Sequence, residues 1–165
     1  MRTEQPGFLD LIRLVVGGDI DEVARCLAAN PALAVEASQV GATRRDAASF
    51  FFVDIAHYLY AGDTALHMAA AAFRCPVAEL LSANRADCRA RNRRGAEPLH
   101  YAADANRWNP TAQAAMIEYL LSIGADPNAT DHSGVAPLHR AVRTRSLAAV
   151  RVLVARGANP EQPNT

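Results

Sequence analysis

The chain has no lysine: all 17 of its basic residues are arginine, and they meet 17 aspartates and glutamates for a formal charge of zero over 165 residues. That balance excludes a basic nucleic-acid coat or an acidic tail as the organising theme. Aromatic residues are scarce at 6 %, although half the chain is hydrophobic by type. Thirty-five residues are alanine, so the core must form by close approach of helices rather than by large rings. Cysteine occurs only as Cys26, Cys75 and Cys88, an odd and scattered set that builds no disulfide framework and points to a reducing compartment. No stretch reaches the roughly 20 apolar residues of a membrane helix. The N-terminal apolar run is broken by Asp10 and Arg13 and reads as an amphipathic helix rather than a secretory leader. Also missing are a glycine-rich phosphate loop, a nucleophile elbow and an HExxH helix, and the carboxylates are scattered. The expectation is a single soluble, cytoplasmic domain over residues 1–165 with no catalytic activity, no cofactor and no metal.

What is present repeats. Residues 62–70 read Gly-Asp-Thr-Ala-Leu-His-Met-Ala-Ala, residues 95–103 Gly-Ala-Glu-Pro-Leu-His-Tyr-Ala-Ala, and residues 134–142 Gly-Val-Ala-Pro-Leu-His-Arg-Ala-Val. The Leu-His pairs fall at 66/67, 99/100 and 138/139, spacings of 33 and 39. Each is followed by a second apolar stretch and then by Arg-Ala-Asp at 85–87, Gly-Ala-Asp at 124–126 or Gly-Ala-Asn at 157–159. Pro98 and Pro137 suit a first helical turn, where a missing N–H costs nothing. The apolar stripe of one helix pair cannot be buried alone, so neighbours must stack.

A period of about 33 residues of turn, helix, helix and turn resembles the ankyrin repeat. The resemblance implies an all-α solenoid of stacked helix-turn-helix units with turn or hairpin fingers. It divides the chain into an N-terminal helical cap at 8–31, an inserted segment at 32–61, repeats at 62–94, 95–133 and 134–159, and a tail at 160–165. His67, His100 and His139 are then turn-holding residues with Thr64, bonded to backbone. Equivalent side chains on helices roughly 8–10 Å apart cannot share one metal ion. Where the family carries a capping threonine, Glu97 and Ala136 stand in the last two copies, which puts a hydroxyl cap out of reach there. Arg85 stands in place of the glycine of the closing turn and is expected to close it differently or under strain.

The two departures from the period are insertions. Residues 49–60 fit a strand alternation or a helical stripe equally, and either cover apolar surface between cap and first repeat or form an aromatic contact surface. The second lies within residues 104–111, between the two helices of the middle repeat. It holds the only tryptophan, Trp108, read either as packing on its own repeat or as a partner anchor.

The neutral total hides a polarity: residues 1–84 carry 6 arginines and 10 acids, net −4, and residues 85–165 carry 11 arginines and 7 acids, net +4. By the resemblance, function is non-catalytic protein–protein recognition through the concave groove and finger tips, toward an acidic partner surface. The candidate contacts are Arg89, Arg91, Asn92, Arg93 and Arg94 in one finger, and Asp131, His132 and Ser133 in the next. Met68, Tyr101 and Arg140 follow each Leu-His, and Arg143 and Trp108 complete the set. The bland alternatives are finger arginines that pair with acids of the next finger, such as Asp131, and last-repeat arginines that merely solvate an end face. Binding of polyanion or nucleic acid by the arginine-rich segment 85–94 is the competing function. The zero charge and the lack of base-stacking aromatics near that finger weigh against it.

Overall fold

The computed structural model describes residues 7–104 and 108–164. These residues carry eight α-helices: α1 (Phe8–Gly17), α2 (Ile20–Ala29), α3 (Ala65–Ala71), α4 (Cys75–Ala83), α5 (Pro98–Ala103), α6 (Pro110–Ser122), α7 (Pro137–Arg143) and α8 (Leu147–Ala155). They form four antiparallel pairs. An inner row stacks α1 on α3, α3 on α5 and α5 on α7, while an outer row stacks α2 on α4, α4 on α6 and α6 on α8. The all-α solenoid expected from the repeat is therefore the observed architecture.

Alanine makes the inner row possible. Ala69, Ala70, Ala102, Ala103 and Ala141 are fully buried, beside Leu66 and Leu99, so backbones approach without large side chains between them. In α4 the packing is carried by Val77 and Leu81, which are buried, whereas Leu80 is only partly covered. The cap pair follows its sequence signals. Asp19 accepts from the N–H of Glu22 at 3.2 Å, and Gly18 ends α1 at φ 79, a left-handed conformation natural to glycine.

Histidine caps the first helix of all three repeats, joined in the first by the Thr64 hydroxyl, 3.0 Å from His67 Nδ1. The backbone N–H groups of Thr64, Glu97 and Ala136 donate to Nδ1 of His67, His100 and His139 at 3.1, 3.1 and 2.9 Å. Because Nδ1 accepts, the ring proton sits on Nε2. Each Nε2–H then donates into the following turn, to the carbonyls of Ala96 (3.0 Å), Val135 (2.9 Å) and Gln162 (2.9 Å). One histidine thus caps its own helix and ties it to the next unit, so Ala136 needs no side-chain oxygen. Arg85 does hold its turn in the left-handed region, at φ 71.

The inserted segment is neither a full strand nor a helix. Short 3₁₀ turns (Pro31–Ala34, Ala48–Phe50, Val53–Ile55) surround a two-residue antiparallel hairpin, β1 (Phe51–Phe52) with β2 (His57–Tyr58). Ile55 and Leu59 are fully buried, so the segment does cover core. Phe51 and Val53 stay exposed, so it also presents apolar surface. The second insertion falls on residues of which 105–107 lie outside the described ones.

Candidate functional site

The fingers form a ladder that starts in the inserted segment. Arg93 N–H donates to the Ala61 carbonyl (3.0 Å), and His132 N–H donates to the Arg94 carbonyl (2.9 Å). Gly62 permits the first contact: a Cβ there would lie 2.7 Å from the Arg93 nitrogen. Asn92 and Asp131 shape the finger bends, since Asn92 Oδ1 accepts from Arg94 and Ala96 N–H and Asp131 Oδ1 from Ser133 and Val135 N–H.

This geometry corrects several expected contacts. Met68, Tyr101 and Asn92 are 0, 2 and 4 % exposed and meet no partner from there. Tyr101 is covered by the inserted segment, whose His57 ring lies 4.4 Å from it, and it stands 5.2 Å from His67, while Asn92 is drawn in by bonds to Asp63 and the Tyr101 hydroxyl. Beneath them is a closed polar cluster around Asp63, which is fully buried. Its carboxylate accepts from Tyr60 N–H (2.7 Å), Asn92 Nδ2 (2.8 Å) and Tyr101 OH (2.8 Å). Burial, with Asp63 beside it, holds the Tyr101 phenol well above its usual range, and burial lowers His57 and His67.

Arg140 is likewise committed inward. It pairs with Asp104 (3.0 Å) and Asp131 (3.2 Å) and its side chain is only 12 % exposed. Burial raises the Asp131 carboxyl, but the N–H groups of Val135 and Ser133 together with Arg140 outweigh it and hold the group low. Arg143 reaches Asp104 at 3.5 Å from an exposed position. Arg91 bonds the Thr130 carbonyl (2.8 Å) and buried Glu97 (3.4 Å), and Arg89 lies 3.7 Å from Asp126. Two of the finger arginines, Arg89 and Arg91, therefore do find acids, though not Asp131. Burial raises Glu97 despite Arg91, and its Oε2 has no hydrogen-bond partner among the described residues.

What remains open is the finger edge. Arg93, Arg94, His132 and Ser133 are exposed. Arg94 lies over the Tyr60 ring at 5.0 Å. Beside them, the inserted segment and this finger enclose a cleft of about 920 Å³, walled by Phe50, Tyr58 and Tyr60 and rimmed by Arg44, Arg93 and Arg94. Gly41 lets two stretches of the inserted segment pass close together behind the cleft, because a Cβ there would sit 2.4 Å from the Ala61 nitrogen. The aromatic wall falls in the segment 49–60 that was read as either a cover or an aromatic contact surface, whereas Arg44 was not among the expected contacts; the Arg44-Arg45 pair ahead of Phe50 was the available signal. Trp108 is 88 % exposed, so it does not pack on its own repeat; it stands by a smaller groove with Arg145 and Arg151, where the two helices of a repeat join. Among the described residues no group of three or more metal-ligating side chains converges, and no helix is long and apolar enough to cross a membrane.

The family model described as ankyrin repeats (3 copies) matches residues 9–131 and 66–164. The chain belongs to the ankyrin-repeat family. Curated relatives include neurogenic locus notch homolog protein 1 of Danio rerio, 39 % identical over 104 residues, which cover 62 % of this chain and 4 % of that protein. The same-named protein of Xenopus laevis is 30 % identical over 131 residues, 62 % of this chain and 5 % of the relative. NF-kappa-B inhibitor delta of Mus musculus is 43 % identical over 82 residues, 47 % of this chain and 23 % of the relative. The chain thus spans under a quarter of the length of each. Ankyrin repeats are in general modules of protein–protein interaction.

Proposed function

We propose that this ankyrin domain is a non-catalytic recognition module that takes a partner protein on its finger edge, with an acidic partner surface facing Arg93, Arg94 and Arg44. The observation that carries the reading is the distribution of unspent charge. Arg140, Arg91 and Arg89 are engaged by acids of this chain, while Arg93 and Arg44 are exposed and without an ion pair among the described residues. The filled inner surface, where Met68 and Tyr101 lie buried, argues for binding on the fingers rather than against the helices. A cytoplasmic setting belongs to the same reading, supported by thiols at Cys26 and Cys88 that are buried and unpaired. A polyanion coat is disfavoured because two of the five arginines in 85–94 are tied to acids.

The experiment compares proteins captured from a lysate of the source organism by wild type, by R93E/H132E on the finger edge, and by W108A/R151E at the opposite end. The finger variant loses the partner and the distal variant keeps it. Equal capture by all three overturns the finger-edge assignment.

A further inference from the structure

We infer that the cleft between the inserted segment and the finger bearing Arg93 and Arg94 is a peptide-binding site that takes an acidic segment carrying an apolar side chain. The inference rests on the protein-recognition reading and goes further by assigning a pocket and the chemistry of its occupant. Three features point the same way. The cleft is an open trough of about 920 Å³, long and shallow enough to receive a chain segment from the side, with a volume in the range of ligand-binding clefts. Its wall is largely apolar and aromatic, formed by Phe50, Tyr58 and Tyr60, and Tyr58 is braced by the rings of Phe51 at 4.7 Å and Tyr60 at 6.1 Å. Its rim brings together Arg44, Arg93 and Arg94 against one acid, Asp46.

A guanidinium with no carboxylate of its own is a fork open to one from elsewhere. Apolar wall and cationic rim together match a side chain that buries and neighbours that carry charge. A stretch of single-stranded nucleic acid fits less well, because base binding needs a free ring face. One face of the Tyr60 ring already carries the Arg94 guanidinium, and Tyr58 meets Phe51 and Tyr60 at tilts near 50°, so the wall offers ring edges to an apolar side chain rather than a run of parallel faces to successive bases.

The test is selection from a phage-displayed library of random peptides on the wild-type domain, with winners synthesised, labelled with fluorescein and measured by anisotropy. Two variants accompany it: R44E/R93E, which reverses two exposed charges that hold no ion pair among the described residues, and A47W, which fills the cleft sterically. Unchanged far-UV circular dichroism and melting show that each is folded. The expected result is enrichment of peptides with acidic residues around an aromatic or aliphatic one, with binding weakened about tenfold or more by R44E/R93E and by A47W. Absence of acidic peptides from the selection overturns the inference. So does undiminished binding of the selected peptides to both variants, which leaves finger-edge recognition standing, since that is read separately by R93E/H132E in the lysate experiment. Tighter binding of a labelled twelve-nucleotide oligothymidine than of any selected peptide, lost in the same variants, overturns it in favour of nucleic acid.

Discussion

Lowering the pH should loosen this domain through the histidines that join its repeats, and His100 gives the cleanest measure. Burial, helped by the charge of Arg140, pushes His100 down to about 4 from an ordinary 6.5. Between those values the unfolded chain takes a proton that the folded chain refuses, so stability rises with pH across the window. The contribution is complete above about 6.5 and is lost as pH falls toward 4. Its full size is about 3 kcal/mol, and about 2 kcal/mol of it is gone by about pH 5. His57 and His67, also lowered by burial, act in the same direction. Glu97, raised by burial, acts in the opposite one. The difference between wild type and H100Q therefore isolates the residue. Urea unfolding followed by circular dichroism should show wild type losing about 2 kcal/mol more than H100Q between about pH 7 and pH 5. Equal losses in the two proteins would refute the assignment of the proton to His100.

Three further outcomes follow from the packing. D63A strands three buried donors, from Tyr60, Asn92 and Tyr101, and should cost about 3–5 kcal/mol in urea unfolding, while Y101F removes one donor and costs about 1–2. R85G relieves a left-handed arginine, a strain of about 1–2 kcal/mol, offset by about 0.4–1 of added unfolded-state freedom; the net gain should raise Tm by about 2 °C. W108A, at a site 88 % exposed, should change stability by less than about 0.5 kcal/mol, and a larger loss would mean that the indole packs on its own repeat after all.

The repeat was legible because its signals are local: the opening glycine, the Pro-Leu-His triplet and the closing Ala-Asp recur within one period, and each dictates a turn or a helix start where it stands. The contact surface was not, because exposure is decided by what arrives from far along the chain. Tyr101 follows Leu-His and ought to face out, yet its hydroxyl is taken by Asp63, 38 residues earlier. Arg140 sits on the inner helix of the last repeat, and Asp104 reaches it from 36 residues away. Nothing near either residue in sequence announces these pairings. The cleft combines residues 39–61 with the finger at 93–94, and neither segment alone has its shape.

The inserted segment leaves and rejoins the solenoid at nearly one point. Ser38 N–H donates to the Asp63 carbonyl and Gly62 N–H donates to the Ser38 carbonyl, both at 2.8 Å, and Ala37 bridges Thr64. Chain statistics then govern what lies between. Once the ends of a loop are pinned, doubling its length costs only about 0.6 kcal/mol of closure entropy. Ile55 and Leu59 plug the core, His57 covers Tyr101 and the Tyr60 N–H holds Asp63, whereas the exposed residues 43–46 and 53–54 can be lengthened, shortened or rewritten with little effect on the stack of helices behind them. In this ankyrin domain the clasp lets the exposed stretch of the segment vary in length while the residues that seal the core keep their places.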